Sequence, residues 1–324
     1  MTRLVQRTRR DMLAAAAICA LKPLAFANDG AMQTIKLIVP FAAGGGADQP
    51  ARLFAAKTAE QLGQPIVIEN LAGAGGSIGA AAAARSPPDG LTLVYGTAST
   101  HGINASLYKK LPYDPLKDFA PIVSLASSAN VLVARNDLGA RTLPELIALA
   151  KRAPGKLTMG SPGIGTTPHM SGILLNKTAG IDTLHVPFKT TPILEVIAGR
   201  LDYSVEAIFS AIPFIRTGQV TAIAVTAPVR DPQLKDVPAV AESYPGYAVV
   251  TWSGFFAPAG TPAPIVKRIN EATNRALKDP AFIATLAERG SQALGGTPQE
   301  LQERVKSELA RWPPIIKEFG ISVD

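Results

Sequence analysis

The fold is decided by the stretch 35–50, which reads IKLIVPFAAGGGADQP. Its apolar run 35–40 is short and bounded by turn residues, which predicts a buried strand. The segment 41–46 is a glycine-rich loop, and Asp48 is predicted to be the N-cap of a helix with Pro50 in its first turn. Strand, loop and helix in this order are typical of a parallel α/β sheet.

The same order recurs along the chain. Two capping boxes, Thr142 with Glu145 and Thr297 with Glu300, mark helix starts. A length of 324 residues fits about two domains, so the sequence predicts a two-domain α/β protein with short loops. Further strands are predicted at 65–69, 91–95, 131–134, 157–160, 183–186, 203–206 and 221–226, and further helices after 71–76, from about Pro168 and from 261–262.

Three loops follow predicted strands and lead into helices, at 41–48, 97–104 and 161–169. Ligands of open α/β sheets bind at the carboxyl ends of strands, where helix N-termini present free amides. Gly44, Gly45 and Gly46 offer bare backbone N–H groups, and the other two loops are rich in hydroxyls and small residues. These groups bind an anion but supply no acid–base pair, so we expect binding of a small anion rather than catalysis.

The first 27 residues are predicted to be a cleavable signal peptide. A basic start precedes the apolar run 13–21, and Ala25-Phe26-Ala27 offers small residues before a cleavage point. The segment 8–13, TRRDML, resembles the twin-arginine export motif, with an ordinary Sec signal as the alternative. We expect a soluble periplasmic protein, because no later stretch reaches the roughly 18 apolar residues of a membrane span.

Most of the excess positive charge, and the single cysteine, belong to that export segment. Cleavage removes five basic residues and one acidic residue. The 32 Lys/Arg and 25 Asp/Glu of the chain then become 27 and 24, so the formal net charge falls from +7 to +3. This weak excess gives no support for a nucleic-acid partner. Cys19 leaves with the signal, which excludes disulfides, thiolate catalysis and cysteine–zinc sites from the mature chain.

Several segments come close to catalytic or cofactor motifs without completing them. The segment 75–79, GGSIG, matches the nucleophile-elbow pattern around Ser77, but about six residues separate it from the preceding strand. The segment 73–78 lacks the third glycine of a dinucleotide fingerprint, and there is no P-loop. The histidines His101, His169 and His185 lack metal-ligand spacing, so we expect no metal and no cofactor.

Segments over nearly the whole mature chain match, in order and spacing, one known family. Together they resemble the periplasmic solute-binding proteins of tripartite tricarboxylate transporters, the Bug family. The matching segments are VPF at 39–41 with Gly44, Gly45 and Asp48, LGQP at 62–65, VIEN at 67–70, GAGG at 73–76 with Ile78 and Gly79, PDG at 88–90, GSPG at 160–163 with Gly165, Thr166 and His169, HVPFK at 185–189, AVT at 224–226, VP at 237–238 and FAPAGTP at 256–262.

The resemblance implies an α/β, two-lobed Venus-flytrap fold of the type II kind with a central sheet in each lobe. Lobe 1 would comprise 32–130 with 248–324, and lobe 2 would comprise 131–247. The protein would be a monomeric, non-enzymatic receptor that captures a di- or tricarboxylate, or an aromatic or amino-acid carboxylate, for a transporter permease. A secreted serine hydrolase using Ser77, or a binding protein that feeds a signalling sensor, stays open as an alternative.

Ligand contacts follow from the family's loops. The carboxylate would meet the first loop, partly through water, and Glu206 would face the distal end of the ligand. Thr190, Thr191, Glu206 and Ala207 depart from the family pattern on that distal side. The predicted ligand-binding residues are Phe41, Ala42, Ala43, Gly44, Gly45, Asp48, Thr97, Ser99, Thr100, His101, Asn104, Ser161, Gly163, Gly165, Thr166, His169, Phe188 and Glu206.

Overall fold

The apolar run of the opening stretch forms the first strand of the computed structural model, which describes residues 33–321. Strand β1 (Ile35–Val39) is buried along nearly its whole length, since both of its faces are covered. Helix α1 (Asp48–Leu62) follows the glycine-rich loop and ends at Gly63, whose positive φ suits a left-handed cap. The predicted signal peptide lies outside the described residues.

The other elements follow the predicted order, with several additions. The remaining strands are β2 (Ile66–Asn70), β3 (Thr92–Thr97), β4 (Phe119–Ala134), β5 (Thr158–Ser161), β6 (Leu184–Pro187), β7 (Tyr203–Ala207), β8 (Thr221–Val225), β9 (Val250–Pro258) and β10 (Ser291–Gly295). The helices are α2 (Ser77–Ala84), α3 (Asn104–Leu107), α4 (Leu143–Arg152), α5 (Thr167–Ala179), α6 (Ile193–Ile197), α7 (Ile208–Arg216), α8 (Val240–Ser243), α9 (Ala263–Leu277), α10 (Pro280–Glu288) and α11 (Pro298–Glu318).

The strands run in the order β2-β1-β3-β9-β4-β7-β5-β6, and β8 and β10 also pair with β4. The pairs among β1, β2 and β3 are parallel, as are those among β5, β6 and β7. Strands β4 and β9 pair antiparallel with all their neighbours. The predicted parallel pairing is found on both sides of the sheet, and the antiparallel strands β4 and β9 between them make the sheet mixed.

Strand β4 divides the strands into two groups. Its first part, to Ala129, pairs with β9, whereas Asn130 onward pairs with β7 and β8. We call β1, β2, β3, β9, β10 and the first part of β4 the first strand group. Strands β5 to β8 with the second part of β4 are the second strand group. The sequence predicts only the end of β4, because 119–130 carries polar residues that interrupt the apolar pattern.

The hydrophobic core of each strand group consists of two clusters of buried residues, and helix α11 reaches the cores of both groups. Leu301 and Val305 pack among core residues of the first strand group. Trp312 and Ile316, further along the same helix, pack among core residues of the second group. The described residues from Thr34 onward form one compact unit. Over those residues, none of the helices is long and apolar enough to cross a membrane.

Candidate functional site

A cavity of about 110 Å³ lies where three helix starts and five strands meet. It is lined by hydroxyl side chains, by small residues and by a few aromatic rings. The helix starts belong to α1, α5 and α7, so the positive ends of three helix dipoles lie at one space. The lining residues are Phe41, Ala42, Gly45, Gly46, Ala47, Pro50, Tyr95, Thr97, Ser99, Ala126, Ser128, Pro162, Thr166, Thr167, Pro168, Lys189, Thr190, Thr191, Glu206, Ala207, Phe209, Ser210, Thr251, Trp252, Ser253 and Ser291.

The glycine-rich loop reaches this cavity, but two of its amides are already used. The Gly44 amide donates to Asp48 Oδ2 at 2.8 Å, and the Gly45 amide donates to the Ala42 carbonyl at 3.3 Å. The expectation of bare amides is thus wrong for these two glycines. Within the described part of the chain, we find no hydrogen bond to the amides of Gly46 and Ala47, both of which line the cavity.

Asp48 supports the loop instead of facing the cavity. It is the first residue of α1, and Ala47 takes the N-cap position where Asp48 is predicted. Its carboxylate turns back to the Gly44 amide and also accepts from Arg52 Nε at 2.9 Å and Asn70 Nδ2 at 2.8 Å. Burial raises the pKa of Asp48, but these hydrogen bonds outweigh it and bring the pKa below its usual value.

The loop after β3 sends only part of its predicted residues to the cavity. Thr97 and Ser99 line it, whereas Thr100, His101 and Asn104 are buried behind it. The His101 ring stacks on Phe256 with centroids 3.9 Å apart, and its Nδ1 lies 2.9 Å from Thr100 Oγ1. Burial lowers the pKa of His101 to about 3, so this imidazole is a neutral core residue at neutral pH.

The loop 161–169 also divides into a lining part and a supporting part. Pro162, Thr166 and Thr167 line the cavity, and Thr166 caps α5 by accepting the His169 amide at 3.3 Å. The remaining predicted residues of this region are not among the lining residues. They are Ser161, Gly163, Gly165, His169 and Phe188, as well as Ala43, Gly44 and Asp48 of the first loop.

Glu206 brings the only carboxyl group among the lining residues. It lies near the end of β7 and is 1% exposed. Thr191 Oγ1 donates to its Oε2 at 2.6 Å, and Ser204 Oγ donates to its Oε1 at 2.8 Å. Burial raises the pKa of Glu206 to about 7 even though both hydroxyl groups favour the ionised form. Near neutral pH, Glu206 is therefore present both as a protonated carboxylic acid, which donates a hydrogen bond, and as a carboxylate, which only accepts.

Sequence reasoning misses the part of the cavity wall that comes from the antiparallel strands. Thr251, Trp252 and Ser253 come from β9, and Ala126 and Ser128 come from β4. The run 249–257, VVTWSGFFA, ends at a proline and follows the turn residues 245–246, which was a usable strand signal.

The surroundings of Ser77 differ from those of a nucleophile elbow. Ser77 begins α2 after a short 3₁₀ turn, Ala74–Gly76, and is 4% exposed. Its Oγ accepts from Asn104 Nδ2 at 3.0 Å, and the described residues place no histidine in hydrogen-bond contact with it. Over the same residues, no group of three His, Cys, Asp or Glu side chains gathers as a metal site.

Comparison with known proteins identifies the family of this chain. A family model described as "Tripartite tricarboxylate transporter family receptor" matches residues 51–321. The chain belongs to that family. The resemblance to it is thereby confirmed, as is the role of a solute-binding receptor. The protein BugT of Bordetella pertussis is 31% identical over 88% of this chain and 89% of its own length, which confirms the resemblance to Bug proteins. This family is not a class of enzymes.

Solved structures agree in sequence and in fold. The periplasmic binding protein BugD is 33% identical, with a TM-score of 0.86 over 89% of this chain and 98% of its own. An R. palustris protein with adipate is 34% identical, with a TM-score of 0.87 and coverages of 91% and 99%. MatC from Rhodopseudomonas palustris with bound malate is 37% identical, with a TM-score of 0.83 and coverages of 87% and 98%. The predicted α/β fold of two-lobed periplasmic binding proteins is confirmed.

Proposed function

We propose that this receptor captures a small organic carboxylate outside the cytoplasmic membrane for the permease of a tripartite tricarboxylate-type transporter. The observation that carries this proposal is the meeting of the starts of α1, α5 and α7 around one cavity. Each helix N-terminus carries the equivalent of about half a positive charge. The adipate and malate in two similar structures support a carboxylated solute here.

The proposed anion subsite uses amides and hydroxyls rather than basic side chains. The amides of Gly46 and Ala47 at the start of α1, the Thr167 amide and the hydroxyl of Ser99 are its donors, whereas the Thr166 hydroxyl already donates to the Gly163 carbonyl. Lys189 is the one Lys or Arg among the lining residues, and it is exposed. A carboxylate held by neutral donors binds without a buried cation that would need its own partner in the empty site.

The distal end of the ligand meets Glu206 in this proposal, together with Thr191 and Ser210. Of the predicted binding residues, those that line the cavity are proposed as direct contacts, namely Phe41, Ala42, Gly45, Thr97, Ser99, Thr166 and Glu206. The other predicted residues act from behind this layer by fixing the loops. Phe41, Trp252 and Phe209 supply apolar surface for the body of the solute.

The proposed protein has two lobes with the limits predicted from the sequence. Lobe 1 comprises 32–130 and 248–324, and lobe 2 comprises 131–247. The change of partner along β4 near Asn130 supports a boundary there. Helix α11 belongs to lobe 1 by this division, although Trp312 packs with the second core. Export by the signal peptide 1–27, a periplasmic location and a monomeric state complete the proposal.

A panel of carboxylates in a thermal-unfolding assay tests this function. A solute that binds only the folded state at 100 times its Kd adds about 2.7 kcal/mol to the free energy of unfolding, which raises Tm by about 5 °C. The panel contains adipate, malate, citrate, benzoate and glutamate, and the diamide of adipate serves as a control without carboxylates. No rise with any carboxylate contradicts the proposal, and esterase activity that Ser77→Ala abolishes favours the hydrolase.

A further inference from the structure

The loop between β5 and α5 contains two glycines in backbone conformations that other residues rarely adopt. Gly163 has φ +129° and Gly165 has φ +81°. Glycine occupies such conformations freely, but it also leaves them freely, so the sequence alone does not fix the loop's shape. The neighbouring Pro162, Thr166 and Thr167 line the cavity, which makes this shape important for the proposed site.

Two histidines behind the loop each hold one of these glycines. The Gly165 amide donates to His169 Nδ1 at 3.3 Å. His185 Nε2 lies 2.7 Å from Ser161 Oγ, and that hydroxyl accepts the Gly163 amide at 3.3 Å. Thr166 Oγ1 adds a bond to the Gly163 carbonyl at 2.7 Å. The loop is thus tied to one imidazole directly and to the other through Ser161.

The two imidazoles also lie against each other, with ring centroids 4.3 Å apart. His169 is 5% exposed and His185 is half-buried. Burial, and for His169 also the neighbouring His185, lowers the pKa of His169 to about 3, and burial lowers that of His185 to about 4. A protonated Nδ1 cannot accept the Gly165 amide. Protonating the pair therefore removes a bond that shapes the loop.

The elements around the pair carry a small set of other titratable groups, of which Tyr203 and Glu206 belong to β7, the strand beside β5. Strand β5 carries none, and the only other one on α5 is Lys177 in its last turn. Lys189 follows β6 at the cavity, and the Tyr108 ring faces Gly165. A carboxylate is absent from the groups that shift the pKa of either histidine, so nothing of that kind favours the imidazolium.

We propose that His169 and His185 are positioning residues that hold the loop 162–167 in the shape that presents Thr166 and the Thr167 amide to the solute. The inference rests on the proposed function, because it assigns the loop a role in binding the carboxylate. Neither ring needs to touch the ligand. His169 acts through the acceptor at Nδ1, and His185 acts through Ser161.

Two substitutions of His169 distinguish the role of its acceptor nitrogen from the packing of its ring. His169→Ala is expected to weaken adipate binding about tenfold, since a buried hydrogen bond is lost. His169→Asn keeps an acceptor oxygen near the position of Nδ1 and is expected to bind within about threefold of wild type. As pH falls below 5, the Kd of wild type for adipate should rise faster than the Kd of His169→Asn. Because adipate itself titrates in this range, the two Kd values are compared as a ratio at each pH, from which the effect of adipate protonation cancels. The same Kd measurements are made with malate as a second ligand.

A ligand-free measurement decides the outcome even if neither probe binds. Exchange of the Gly165 amide with solvent should accelerate in His169→Ala and stay slow in His169→Asn. Leu175→Ala, buried in the core on the same helix, is the control for general destabilisation and should leave Kd within about threefold. Wild-type affinity in His169→Ala, equal losses in both His169 variants, or an equal loss in Leu175→Ala overturns the inference. Failure of every carboxylate to bind wild type contradicts the proposed function instead.

Discussion

At the scale of single residues, two buried carboxyl groups near the cavity have opposite roles because their partners differ. Asp48 is 2% exposed and accepts from a guanidinium, an amide side chain and a backbone amide. Glu206 is 1% exposed and lies deeper in the protein, so its desolvation is larger, and it accepts only from two hydroxyls. Charged and amide donors outweigh desolvation, whereas two neutral hydroxyls do not. Asp48 is therefore a fixed structural anion, and Glu206 is a group that titrates near neutral pH.

Replacing Glu206 with Gln is expected to remove the free-energy cost of ionising a buried carboxyl group, which lowers the stability of the folded protein as pH rises. The folded-state pKa of about 7 lies above the ordinary 4.5, so the folded protein keeps a proton that the unfolded chain has released. The group's stabilising contribution is complete below pH 4.5 and is lost as pH rises through 7. Between pH 5 and 8, the free energy of unfolding of wild type should fall relative to Glu206→Gln by on the order of 3 kcal/mol.

Urea unfolding of both ligand-free proteins at the two pH values measures this difference. Glu145→Gln is the matched control, because the backbone amide of Arg141 lowers the pKa of Glu145. Its contribution to stability is lost only as pH falls below about 4.5, so wild type and Glu145→Gln should differ by nearly the same free energy at pH 5 and pH 8. Parallel curves for wild type and Glu206→Gln would mean that Glu206 is solvated in the folded protein.

At the scale of elements, the sequence predicts those that are locally encoded. Strand β1, the capping box at Thr142 and the start of α11 lie where the pattern places them, because adjacent residues determine them. Strands β4 and β9 are different, since their partners are distant in the chain and their middle sections are partly polar. The use of the Gly44 amide by Asp48 is equally hidden, because a glycine run reveals nothing about which amides are already bonded.

The close approach of α1 to α7 is an element-level property that a single methyl group tests. A Cβ on Gly46 would lie 3.0 Å from the Cβ of Ala207 at the start of α7. Gly46→Ala should push the two helix starts apart and weaken carboxylate binding about tenfold, because the donor amides are displaced by a fraction of an ångström. Removing the opposing methyl in Gly46→Ala/Ala207→Gly should restore most of the affinity. Calorimetric Kd values for the cycle check this, and an equally weak double variant contradicts it.

At the scale of the whole molecule, the two cores are joined by shared elements. Strand β4 pairs with both strand groups, and α11 places Val305 in one core and Trp312 in the other. A binding protein that closes on its solute needs two parts that move relative to each other, yet these shared elements also couple their stability. Cooperative unfolding of both cores follows, because neither can lose β4 without exposing the apolar surface of the other.

The chain's two tryptophans allow each core to be followed separately. Trp252 packs in the core of the first strand group and Trp312 in that of the second. In ligand-free Trp252→Phe and Trp312→Phe, the remaining tryptophan's fluorescence should change at the same urea concentration as the far-ultraviolet circular dichroism of that variant. A fluorescence midpoint that differs from the dichroism midpoint in either variant would show that the cores unfold independently. The shared strand and helix would then be a flexible connection that leaves the two stabilities uncoupled.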